Sequence, residues 1–195
     1  MIISKYSLLA SKLLDAKGIT YEQYLKVEPD GKVVVARSDR LIIVEQVKDA
    51  GVLEHPIYLH KETAERILNH LASLKKLDFV ELEEDARGLK FKFLDPDGVG
   101  VIDLPNQREV SYPDYKKALK ENFCMDMRVW IKLTRLEELL RVIRVMCLPD
   151  VQVKMKGSCL VIQGLTRYNQ KVLGVMVMQS GKCMEWLNLF GKMKA

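Results

Sequence analysis

One order of elements recurs three times along the chain, and that recurrence restricts the fold more than any composition figure does. The first pass opens with a helical stretch, residues 4–16, in which Leu8, Leu9, Leu13 and Ala16 share an apolar face and Gly18 stops the run. Strand material follows at Tyr21–Glu28, Val33–Ala36 and Leu41–Val44. The first two strands meet at Pro29-Asp30-Gly31, where proline fixes φ and glycine accepts a positive one. The second pass has a short strand at Ile57–Leu59 and a helix over 60–76, with Ala64, Ile67, Leu68, Leu71 and Leu74 on one face. Its strands are Phe79–Glu83, Leu89–Phe93 and Val99–Leu104. The third has a strand at Arg128–Lys132 and a helix over Thr134–Met146, with strands at Val151–Lys156, Leu160–Gln163 and Val172–Met178. Thr134 and Glu137 are spaced as a capping box for that helix.

Each unit is a βαβββ module of about 50 residues, the general size of a small supersecondary unit. Such a module has one apolar sheet face and one apolar helix stripe, and it cannot cover both alone. The expected fold class is therefore α+β: antiparallel sheets outside, helices gathered on one face, and modules packed against one another.

Charge is distributed unevenly. Residues 1–50 carry eight Lys/Arg against seven Asp/Glu, residues 51–104 seven against eleven, and residues 105–195 sixteen against eight, which sums to the net +5. A basic last third suits a polyanion, although a solvated surface gives the same count. Hydrophobic residues at 48% and charged residues at 29% describe an ordinary globular chain. No apolar run approaches the roughly 20 residues of a membrane span, so no membrane partner is expected. Met1-Ile2-Ile3-Ser4-Lys5 turns polar too soon for a secretory signal, and a cytoplasmic location is the expectation.

Catalytic signatures are not found. The sequence contains no phosphate-binding G-x-x-x-x-G-K-S/T loop, no G-x-G-x-x-G, no H-E-x-x-H and no G-x-S-x-G. Cys124, Cys147, Cys159 and Cys183 are widely spaced without a C-x-x-C pair, which favours free thiols over a metal site. His55, His60 and His70 read as surface or packing residues. Glu81-Leu82-Glu83-Glu84-Asp85 reads as a solvated strand face and not as a cation site. A binding protein is expected, with no enzyme activity, no metal and no cofactor.

The stretch Tyr112-Pro113-Asp114-Tyr115-Lys116-Lys117-Ala118 resembles one that follows the middle domain of the bacterial DNA polymerase III beta subunit, the sliding clamp. There an aromatic residue, Pro, Asp and Tyr precede two basic residues. Val34-Val35-Ala36-Arg37-Ser38-Asp39-Arg40-Leu41 is similar to that domain's V-x-A-T-D-G-H-R-L strand pair, one residue shorter and without the T-D-G-H core. Pro56-Ile57-Tyr58-Leu59-His60-Lys61 stands where the family runs a strand into its second helix. The resemblance implies a clamp-like domain over residues 1–123, a third half-domain module over 124–180, and a tail over 181–195. Three modules would remove the strands that form one wall of the family's partner groove.

The resemblance also implies a function and two surfaces. The role would be that of a non-catalytic processivity factor on double-stranded DNA, of the kind a phage or mobile element carries. Its partners would be a DNA polymerase or clamp loader, and it would form a homo-oligomer or a mixed ring with a full-length clamp. An alternative is an interaction module that binds a clamp, loader or polymerase without encircling DNA. Clamps line their pore with helices and hold phosphates loosely, without base readout. Lys5, Lys12, Lys61, Arg66, Lys75, Lys76, Arg135, Arg141 and Arg144 are the helix-borne candidates, each of which could instead solvate an outer face. The remaining groove wall would include Arg40, Leu41, Pro113 and Ala118, with Asp39 where the family has histidine. In the tail, Trp186-Leu187-Asn188-Leu189-Phe190 resembles the Q-L-x-L-F peptide that docks into clamps, with Trp186, where the family has glutamine, Leu189 and Phe190 as partner-binding candidates and the last two as anchors. The competing reading is a terminal amphipathic helix packing on the body.

Overall fold

The first two repeats form, and the described helix and strands of the third add to the sheet of the first. The computed structural model describes residues 1–74, 77–85, 88–95, 98–105, 110–122, 133–157 and 159–177. The first repeat is β1 (Ile2–Ser4), α1 (Lys5–Leu9), β2 (Tyr24–Val27), β3 (Val33–Ala36) and β4 (Arg40–Val44). The second is β5 (Ile57–His60), α2 (Lys61–Ser73), β6 (Phe79–Asp85), β7 (Gly88–Asp95) and β8 (Gly98–Pro105). After α3 (Tyr115–Asn122) come α4 (Leu133–Met146), β9 (Gln152–Lys156), β10 (Cys159–Leu165) and β11 (Lys171–Val177). The expected strand at Arg128–Lys132 lies outside the described residues.

The first two repeats exchange their leading strands. β1 pairs with β6, giving a four-stranded sheet in the order β1-β6-β7-β8, and β5 pairs with β2. Neither repeat can complete its sheet without the other, as the packing argument requires. The second sheet has seven strands in the order β5-β2-β3-β4-β11-β10-β9. Its central joint is the antiparallel pair β4–β11, which sets Leu41 opposite Val175 and Val44 opposite Val172. All described pairings in both sheets are antiparallel.

Three of the described helices form one layer, with α1 packed between α2 and α4. Beneath them Val27, Val35, Ile42 and Val44 of the large sheet are fully buried, as are Phe91 and Phe93 of the small one. From above, α2 buries Ala64, Ile67 and Leu71, and α4 buries Leu139, Val142, Ile143 and Met146. Each large apolar side chain so buried contributes about 1.5–3 kcal/mol. A second cluster on the opposite face of the large sheet unites Val34, Leu41, Val161 and Val175 with Tyr115 and Ala118 of the α3 segment.

Two local expectations change. The helix over 4–16 is shorter: α1 ends at Leu9, a 3₁₀ turn occupies Ala10–Leu13, and Leu14 is already extended. Leu8, Ala10, Leu13 and Leu14 are all buried, a spacing that no single α-helical stripe accommodates but a tighter turn does. Ser4 caps α1 by accepting a hydrogen bond from Ser7 N at 3.2 Å. Thr134 stands one residue inside α4, which starts at Leu133, so it does not occupy the cap position of a capping box. His60 caps α2, its Nδ1 accepting from Glu62 N at 3.4 Å.

Candidate nucleic-acid and partner interfaces

The layer of α1, α2 and α4 carries the described basic candidates, which divide into two groups. Lys12, on the 3₁₀ turn, Arg66 on α2, and Arg141 and Arg144 on α4 are exposed. Lys5, Lys61 and Arg135 are half-buried and engaged within the fold. Lys5 is ion-paired to Asp78, which also accepts from Arg167 and from the Tyr168 hydroxyl. Lys61 Nζ donates to the Leu14 carbonyl at 3.1 Å. Arg135 is ion-paired to Asp39. Lys75 and Lys76 lie outside the described residues. Exposed Glu62, Glu65, Glu137 and Glu138 share the layer, so its surface is of mixed charge.

Arg135 belongs to an ion-pair chain that ties α4 to the β3–β4 hairpin. Arg40 is 4% exposed, its Nε 3.2 Å from Asp39 Oδ1, and its Nη1 donates to Glu138 Oε2. Arg37 continues the chain, 3.8 Å from Glu138 and 2.9 Å from Asp15. The hydrogen bond from Arg40 holds the Glu138 carboxyl below its ordinary range, with Arg37 and Arg141 adding to the effect. A buried arginine between two carboxylates is a joint, since removing either partner leaves a desolvated charge.

The partner-groove candidates also come together. Arg40, Leu41 and Ala118 converge, with Pro113 buried in the same α3 segment. The space among them is closed by Val175 and Val177 of β11 and retains only about 10 Å³. The open groove lies on the other flank of α3, about 730 Å³, lined by Ile43, Tyr115, Leu119, Leu165 and Leu173. Lys32, Lys116, Lys171, Glu45 and Asp150 also border it. Sequence reasoning missed this groove. The available signal was Leu119, four residues beyond Tyr115 and so on the same helix side. Trp186, Leu189 and Phe190 lie outside the described residues.

Other singled-out residues have structural roles. Tyr112 is held by Ala36 N, which donates to its hydroxyl at 2.8 Å, while the hydroxyl donates to Val34 O at 3.1 Å. Burial pushes its ionisation far above the ordinary tyrosine range. His70 packs edge-on against Phe93 with ring centroids 4.4 Å apart. Glu83 pairs with Lys92 at 2.5 Å while Leu82 beside it is buried, as a solvated strand face requires. Burial pushes the Cys147 thiol up to about 11. Among the described residues no His, Cys, Asp or Glu cluster could hold a metal, and no helix is long and apolar enough to cross a membrane.

Comparison with solved structures identifies the architecture. The chain is similar to PCNA of Thermococcus kodakaraensis, with a TM-score of 0.54 and 13% identity, over 92% of this chain and 99% of that one. The fold is clamp-like. Two bacterial clamps also match: the DNA polymerase sliding clamp of Caulobacter crescentus (TM-score 0.46, 10% identity, 100% of this chain) and the polymerase beta subunit of Streptococcus pyogenes (0.48, 11%, 93%). The chain spans 56% and 64% of those two proteins. No protein-family model and no curated protein sequence matches it.

Proposed function

We propose that this protein is a non-catalytic clamp homologue that accompanies double-stranded DNA, with a polymerase or clamp loader as its protein partner. The observation that carries the reading is the clamp-like fold matched over 92% of the chain, with α1, α2 and α4 in one layer. In that arrangement Lys12, Arg66, Arg141 and Arg144 face phosphates loosely and without base readout. The partner surface is assigned to the apolar groove beside α3, since β11 already covers Leu41 and Ala118. The specific kinship to bacterial beta subunits rests on the Tyr112–Ala118 stretch. The proposed division into a two-module domain, 1–123, and a half-domain, 124–180, follows the same resemblance.

A second reading has its own support. Glutamates share the helix layer with the cations, and β4 is paired within the chain, so it offers no edge to a neighbouring subunit. Both features favour a module that binds a replication protein without encircling DNA. Retention on nicked circular against linear duplex DNA separates the two. A topological clamp, assembled with its loader, stays on circles and slides from linear ends. A simple basic binder treats both alike and releases steeply with salt. Equal retention on the two forms would overturn the encircling reading.

A further inference from the structure

The groove beside α3 lies on the outer face of the large sheet, and its apolar lining comes from α3, β4, β10 and β11, with Leu148 beside them. Ile43, Leu119 and Leu173 are half-buried, while Leu148 and Leu165 are 46% and 42% exposed. At about 730 Å³ the space has the size of a built ligand site. The described chain stops at Val177, on the same sheet face as Leu173 and four residues farther along β11, about 13 Å away. The residues that follow hold a polar lead, Gln179-Ser180-Gly181-Lys182, and then Met184, Trp186, Leu187, Leu189 and Phe190 within seven positions. Extended, residues 178–185 reach about 26–29 Å, twice the distance to Leu173. The space nearer to Val177, among Arg40, Leu41 and Ala118, retains only about 10 Å³ and has no room for such side chains. Residues 123–132 are committed elsewhere, since they must pass from α3 on the outer face to α4 on the helix side.

We propose that residues 184–190 seat in this groove of their own chain and hold it against other proteins until a partner displaces them. An apolar cluster of that size left in water marks a contact surface or an aggregation site, and the groove is an apolar surface within its reach. Attachment through a short, polar, glycine-containing lead sets an effective concentration in the millimolar range. A docking with a dissociation constant of about 0.1 mM, weak between separate molecules, is then about nine-tenths occupied within one chain. A competitor would need about ten-fold more of itself to take the groove, and losing the tail would lower that demand by the same factor. The consequence for a partner rests on the reading of the groove as the partner surface, and nothing in it rests on DNA.

The test uses the whole 195-residue chain, with a labelled peptide of residues 182–192 as the probe and fluorescence anisotropy as the readout. The peptide should bind L187S/L189S/F190S, whose own tail has lost its anchors, about ten-fold more tightly than it binds the parent. Adding L148K/L165K, at two exposed groove positions, should abolish that binding. In the parent, L148K/L165K alone should release the tail and red-shift tryptophan emission, and Trp186→Phe should remove the shift. No binding to the tail variant, equal affinity for variant and parent, or binding that survives L148K/L165K would overturn the proposal. So would dimers that form in the parent and vanish in the tail variant, which would seat each tail in a second copy. Neither DNA nor a polymerase is present, so such a failure leaves the partner surface standing. That assignment fails separately, if a polymerase or loader binds the parent and L148K/L165K alike.

Discussion

The Ser4 hydroxyl donates to Gln170 Oε1 at 2.6 Å, joining the cap of the first helix to the loop between the last two described strands. The Gln170 amide nitrogen donates in turn to Ser7 Oγ at 3.1 Å and to the Glu45 carbonyl at 2.9 Å. Ser4, Ser7 and Gln170 are all buried. One side chain therefore serves α1, the end of β4 and the β10–β11 loop together, and its loss would strand several buried polar atoms.

Gln170→Ala should lower stability by roughly 2–3 kcal/mol, the scale of leaving buried partners unsatisfied. Urea denaturation checks this. A shift in midpoint with an unchanged slope is expected, since the surface exposed on unfolding stays the same. A variant as stable as the parent would mean that water or Ser7 substitutes for the amide.

The arginines of α4 should separate into two behaviours. R141E/R144E changes exposed positions, so it should weaken DNA retention and leave the melting temperature nearly unchanged, within about 0.5 kcal/mol. R135E breaks the pair with Asp39 and places a carboxylate beside another, so it should destabilise the fold. DNA retention unaltered in R141E/R144E would remove α4 from the nucleic-acid surface.

The Arg40–Glu138 contact predicts a pH dependence with a definite sign. The folded-state Glu138 carboxyl titrates below its ordinary value of 4.5, so its ionised form favours the folded state. That contribution is present above about pH 4.5 and is lost as pH falls through the lower folded value. Glu138 is half-exposed, so the effect is modest and screened by salt. The stability gap between the parent and Glu138→Gln should be open at pH 6 and close toward pH 3. A gap that stays constant across that range would rule out the ion pair as its source.

Gly164 and Cys147 should be coupled. A Cβ at Gly164 would sit 2.7 Å from Cys147 Sγ and 3.0 Å from its Cβ. Gly164→Ala should therefore cost about 1–3 kcal/mol through overpacking. Adding Cys147→Ala should recover part of that loss in thermal melts, a non-additivity expected only of side chains in contact. The same thiol, raised to about 11, should resist alkylation in the folded protein at pH 8.

The sequence disclosed elements better than it disclosed their neighbours. Val33–Ala36 and Leu41–Val44 were legible as strands because β-branched runs bounded by turn residues have few other uses. Leu139, Val142, Ile143 and Met146 fall at helical spacing, and all four are buried. The α1 segment misled because Leu8, Leu9 and Leu13 fit a helical stripe, whereas burial of Ala10 and Leu14 needed a tighter turn. α3 is short, Tyr115–Asn122, and polar at most positions, so its apolar periodicity is weak. The β4–β11 joint left only a faint signal: Val172–Val177 is apolar almost throughout, as a strand with neighbours on both sides should be. At the surface, charge alone could not separate Arg135 from Arg141. The distinction lies in the side of α4 that meets the β3–β4 hairpin, which is a tertiary fact.

The β4–β11 pairing also sets a timetable for synthesis. β4 leaves the ribosome with its outer edge, Arg40-Leu41-Ile42-Ile43-Val44, still waiting for a strand encoded more than a hundred residues later. At ordinary elongation rates that wait is on the order of ten seconds. During it an apolar strand edge is available to any other nascent chain. Slowing translation between residues 44 and 171 should therefore raise the aggregated fraction, and a chaperone that shields strand edges should matter most in that interval.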